Sequence, residues 1–156
     1  MILSKHQKIW MVITLLCGSF TTAFSETLMN NGLPTIMKEV HVDEMTVQLL
    51  STGYMLVAGM SMPLTPFLVK RFSLNKLFTT TMSIFLVGTL IATFAPNFSI
   101  LLIGHLIEAI AVGINMPLVS SVLSLLFPPN QRGTVMGLAG IIINLGPAIG
   151  DFRNYR

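Results

Sequence analysis

Residues 98–127 read FSILLIGHLIEAIAVGINMPLVSSVLSLLF, thirty residues that are overwhelmingly apolar yet carry one carboxylate, Glu108, and one imidazole, His105. As a helix rising about 1.5 Å per residue the stretch is about 45 Å long. A bilayer offers about 30 Å of hydrocarbon, so the helix tilts, bends at Pro117 or extends into the interface. His105, Glu108, Val112 and Asn115 follow at helical spacing and share about a quarter of the circumference, giving one polar face on an apolar rod. An ionisable group at such depth costs about 2–3 kcal/mol, so it faces a partner or a water-filled pathway. Two readings are open: Glu108 as a titrating pathway residue, or as a neutral hydrogen-bonding group that glues two helices.

Composition extends this reading to the whole chain. Of 156 residues, 53% are hydrophobic and 10% charged, and the mean hydropathy is +0.77. Soluble domains carry about 25% charge, so the chain reads as an all-α integral membrane protein. The net charge of +3 reflects topology rather than a nucleic-acid partner. Cys17 has no second cysteine to pair with and reads as a small buried apolar side chain. Neither a metal-ligand cluster nor a cofactor motif is present in the sequence.

Five spans are predicted, at about 9–29, 47–69, 77–94, 98–127 and 134–150. Lys5 and Lys8 before the first would suit a signal peptide, but the further apolar segments favour an uncleaved span. Ser19, Thr22, Glu26 and Asn30 make a polar stripe on it, and Pro34 is expected to end it. A polar loop follows, in which Asp43 is the expected N-cap of the second span. There Ser51, Tyr54, Ala58, Ser61 and Thr65 share a face, and Pro63 and Pro66 should bend the chain. The third span has no ionisable residue, which suggests a lipid-facing position. In the fifth, Gly133, Gly137, Gly140, Asn144 and Pro147 form a small-residue stripe that would admit a neighbouring backbone.

Lys5, Lys8, Lys70, Arg71, Lys76 and Arg132 fall on one side of a zigzagging chain and only Lys38 opposite, which places the N-terminus in the cytoplasm of a cell-membrane protein. Glu26, His105 and Glu108 then lie at a similar depth in the outer half. Residues 151–156, DFRNYR, run against this charge order and read as foreign to the fold; with an unfinished fifth span they suggest a truncated frame.

Several segments together carry a resemblance: residues 26–36 (ETLMNNGLPTI), 52–56 (TGYML), 95–98 (APNF), 127–133 (FPPNQRG) and 146–150 (GPAIG). They resemble the major facilitator superfamily, and more narrowly its EmrB/QacA-type drug:proton antiporters, over residues 9–150. The resemblance implies most of an N-terminal bundle, roughly the first third of such a transporter. Gly146, Pro147 and Gly150 are similar to the family's antiporter motif, with Asp151 where a glycine is expected. In the loop 66–76 Leu68, Arg71 and Lys76 fit the family's cytoplasmic motif G-x-L-x-D-R-x-G-R-K, while Lys70 replaces its acid. His105 and Glu108 stand where the family has Arg and Gln, so a permanent cation has become a titratable one.

The resemblance thus implies a secondary transporter, not an enzyme, that exports small amphipathic or cationic organic compounds in exchange for protons. Glu26, His105, Glu108 and Asn115 are the candidates for proton coupling or the cavity wall. The alternatives are a metabolite or osmolyte exporter of the same superfamily, or a membrane interaction protein that transports nothing. A truncated chain would by itself be inactive, because five helices cannot form both halves of an alternating-access cavity.

Overall fold

A computed structural model describes residues 5–152, with backbone alone at Lys5, Gln7 and 146–152. Six α-helices follow in order: α1 (Lys5–Glu39), α2 (Glu44–Ser61), α3 (Thr65–Arg71), α4 (Leu74–Thr93), α5 (Phe98–Leu126) and α6 (Pro129–Phe152). A 3-10 turn, Met62–Leu64, joins α2 to α3, so the second predicted span is one rod broken at Pro63. Four stretches are long and apolar enough to cross a bilayer: Lys8–Glu39, Glu44–Arg71, Leu74–Thr93 and Phe98–Leu126. The fifth predicted span forms as α6 but is not among these four, within the described residues.

α5 is the central post, with α4, α2 and α1 packed around it and α6 against α1. Lipid gives no hydrophobic reward for bringing helices together, so their contact rests on close packing and hydrogen bonds. Small residues supply the closeness. A Cβ on Gly104 would lie 2.7 Å from the amide nitrogen of Ala92, and one on Gly88 2.8 Å from the Gly104 carbonyl, so α4 and α5 touch backbone to backbone. A Cβ on Gly113 would likewise overlap the Ala58 carbonyl on α2. Beside that crossing the hydroxyl of Thr65 donates to the carbonyl of Ile114 at 3.1 Å. The carbonyl that Pro117 leaves without its helical donor is the preceding one, Gly113's, so this bond ties α3 to that turn of α5 without replacing the lost one.

Several expectations change. Pro34 lies inside α1, which continues to Glu39; the carbonyl that loses its donor belongs to exposed Asn30, where water can serve it. His41 then reverses the chain with φ 53°, a left-handed cap. Asp43 sits at the N-cap of α2 as expected, with its carboxylate accepting from the Thr46 hydroxyl. The third span is not simply lipid-facing, since Leu77, Thr81, Phe85 and Gly88 of α4 are buried against its neighbours. Cys17 is exposed rather than buried. α6 begins at Pro129, five residues before the predicted span. Its buried contact is Ala139, while Gly133, Gly137 and Gly140 meet open space. The helix runs on through Asp151 and Phe152; residues 153–156 lie outside the described residues.

Candidate functional site

α5 buries His105, Glu108, Val112 and Asn115 together, as its periodicity predicts. His105 is 2% exposed and Glu108 3%. The Nδ1 of His105 lies 2.9 Å from Glu108 Oε2, one helical turn away. The other carboxylate oxygen, Oε1, accepts from the Thr89 hydroxyl of α4 at 2.6 Å. The ring of Tyr54, from α2, stacks on His105 with centroids 4.6 Å apart. Both carboxylate oxygens are thus engaged in a dry setting, where a charge-assisted bond is about twice as strong as a neutral one. Among the described residues this is the one acid–base side-chain pair within ion-pair distance, charged only when the imidazole is protonated.

Glu26 is half-buried on α1, within electrostatic reach of His105. Tyr54 in turn lies within reach of both Glu26 and Glu108. His105 and Glu108 thus touch on α5, Tyr54 of α2 lies against the imidazole, and Glu26 of α1 stands within electrostatic reach. Asn115 lies farther along α5 and does not reach them. Its amide nitrogen donates to the Ser19 hydroxyl on α1 at 3.0 Å, and its Oδ1 is the buried polar side-chain atom without a partner among the described residues. Ser19 and Thr22 border a cavity of about 270 Å³ between α1, α5 and α6, whose other walls include Met116, Ser120 and Met136.

The basic candidates gather elsewhere. Lys70 and Arg71 end α3, Lys76 lies in the first turn of α4, and Arg132 lies near the start of α6. All four are exposed. They share one end of the bundle, where Leu68, Leu74, Leu126 and Phe127 pack on a common apolar core. Arg132 Nε donates to the Phe127 carbonyl at 3.1 Å and closes the end of α5. Gly146, Pro147 and Gly150 lie in α6 where only the backbone is described, so their surroundings fall outside the described residues.

Sequence reasoning missed Gly88, Thr89 and Gly104. A signal was present: a short turn centred on Pro96 makes α4 and α5 an antiparallel hairpin, and reflection about residue 96 pairs position 88 with 104. Two glycines facing each other at the depth of Glu108 mark a close approach, and the adjacent Thr89 is then the polar group α4 can offer.

Residues 15–151, from within α1 to the last turn of α6, match the sequence model of the Major Facilitator Superfamily. The chain belongs to this superfamily. Among curated superfamily relatives, the chain is 43% identical over 136 residues to the uncharacterized MFS-type transporter YcnB of Bacillus subtilis, covering 87% of this chain and 29% of the relative. It is 40% identical over 139 residues to the lincomycin resistance protein LmrB of the same organism, covering 89% and 29%. It is 27% identical over 146 residues to the riboflavin transporter RibZ of Clostridioides difficile, covering 90% and 32%. The chain therefore spans less than a third of the length of these relatives. No solved structure matches it.

Proposed function

We propose that this chain is the N-terminal bundle of a proton-coupled exporter of small amphipathic or cationic organic compounds, with Glu108 and His105 carrying the proton and Glu26 assisting. The observation that carries the reading is the His105–Glu108 pair, almost fully buried at 2.9 Å in a bundle otherwise built from apolar and small side chains. An ion pair at this depth is costly and weak as a source of stability, which favours a working role over a structural one. Two carboxylates and one imidazole give the site an excess of negative charge whenever both acids are ionised, which suits a cationic solute that trades places with a proton. Similarity to the lincomycin resistance protein supports a drug-like cargo; similarity to the riboflavin transporter supports a metabolite as the second reading.

The basic end made by Lys8, Lys70, Arg71, Lys76 and Arg132 faces the cytoplasm in this proposal. In the intact transporter, Glu108→Gln keeps shape and most hydrogen bonding but removes the proton site. Dye efflux driven by a pH gradient, normalised to inserted protein, falls at least tenfold in Glu108→Gln and less in Glu26→Gln. Full efflux in Glu108→Gln means that Glu108 is only a polar contact between helices.

A further inference from the structure

Thr89 has one hydroxyl proton and two acceptors within reach, Glu108 Oε1 at 2.6 Å and the Phe85 carbonyl of its own helix at 3.0 Å. A hydroxyl donates one proton while accepting through its oxygen. We infer that Thr89 is the positioning residue for the Glu108 proton: it donates to the ionised carboxylate, and it turns to the Phe85 carbonyl while accepting from the neutral acid. Glu108 gains at Oε1 one proton that hydronium delivers on acidification, leaving a water molecule, while the Thr89 hydroxyl rotates so that its bond to Oε1 reverses direction. Every donor has an acceptor in both states, which matters because a buried polar group left unpaired costs about 1–3 kcal/mol.

The backbone fixes this geometry. Gly88 leaves room for the side chain of Glu108, since a Cβ there would lie 2.8 Å from Glu108 Cγ. Gly104 lets α4 come near enough for the next residue, Thr89, to reach the carboxylate. The titratable groups facing Glu108 are His105 on its own helix and Tyr54 from α2, and Glu26 from α1 lies in turn within electrostatic reach of those two. α4 contributes the Thr89 hydroxyl alone, and α6 packs toward the other half of α5, where Ala139 joins the apolar core. Thr89 is thus the point where the protonation state of Glu108 is passed to a second helix, because its bond to the Phe85 carbonyl is free only when the acid is neutral. This inference deepens the coupling role proposed above and rests on it for its consequence in transport.

The test is infrared difference spectroscopy of the intact transporter in lipid nanodiscs on acidification, with the Glu108 carboxyl band assigned by its loss in Glu108→Gln. Wild type and Thr89→Ser give the same hydrogen-bonded band. Thr89→Val keeps the shape but lacks the hydroxyl; its band moves to the higher wavenumber of an unbonded acid, and the titration midpoint is displaced by about one pH unit, a tenfold change in proton affinity. Thr89→Ala gives the same displacement and decides the matter if the valine variant does not insert. Wild-type bands in both Thr89→Val and Thr89→Ala, or an equal displacement in Thr89→Ser, overturn the inference. The readout is titration rather than transport, so efflux surviving in Glu108→Gln would refute the coupling role without touching this result.

Discussion

The two halves of α5 are built on opposite principles. From Ile114 to Leu123 the helix is packed by large aliphatic side chains, with Leu118 and Val122 fully buried against Leu15 and Leu77. From Gly104 to Val112 it is packed by glycine, alanine and a hydrogen-bonded cluster of His105, Glu108 and Thr89, with the Tyr54 ring stacked on the imidazole. One helix in one bilayer thus holds its partners by filled volume at one end and by close backbones and polar contacts at the other. Because lipid tails are as apolar as leucine, the aliphatic half gains dispersion and little else. The polar half has specific geometry, and so it is the half that can do chemistry.

The largest way to break this contrast is Gly104→Leu, which drives a branched side chain into the α4 backbone at Ala92. Overpacking costs about 1–3 kcal/mol where neighbours can move, and here the neighbour is main chain. Folded, inserted protein, read by size-exclusion chromatography in mild detergent, should fall several-fold. In the other half, Leu118→Ala leaves a cavity and costs about 2–5 kcal/mol by analogy with soluble cores. Its melting temperature in detergent drops, while the Glu108 carboxyl band stays unchanged. Equal disturbance of that band would show the halves are not independent.

A finer test lies at their border. Ser19→Ala removes the acceptor for the Asn115 amide and leaves a second unpaired buried atom beside its Oδ1. The expected loss is about 1–3 kcal/mol, and Ser19→Thr should recover it if the added methyl fits. The smallest effect belongs outside the bilayer, where the Thr46 hydroxyl holds the Asp43 carboxyl below the usual carboxylate range. A depressed folded value means that Asp43 contributes at neutral pH and loses its contribution only as pH falls below about 4. Thermal unfolding of Asp43→Asn should therefore match wild type in its change between pH 7 and pH 5. A change in that window that disappears in Glu108→Gln belongs to the buried cluster.

Much of this architecture is legible in the sequence, for physical reasons. A long apolar run with at most one charge belongs in the bilayer, so the spans around Tyr54, Phe85 and Glu108 declare themselves, and helical periodicity alone places His105, Glu108 and Asn115 on one buried face. Pro34 misleads because a proline costs one hydrogen bond, which water can replace at the end of a span but not in its middle. α4 misleads in the opposite direction. Its partner for Glu108 is a threonine, a side chain too weakly polar to mark a face by hydropathy, and its real signal is a glycine whose meaning depends on the helix across the turn. The stripe of Gly133, Gly137 and Gly140 has the right spacing for close packing yet faces open space, because spacing reports what a face can accept and not what is there to accept it.

The central claim is that the polar half of α5 handles a proton. It is tested most directly by mixing the purified intact transporter with a cationic substrate in weakly buffered solution and following a pH indicator. A substrate that displaces the Glu108 proton acidifies the medium in wild type and in Leu118→Met, and gives no pH change in Glu108→Gln despite retained binding. Acidification of the same size in Glu108→Gln would contradict the account.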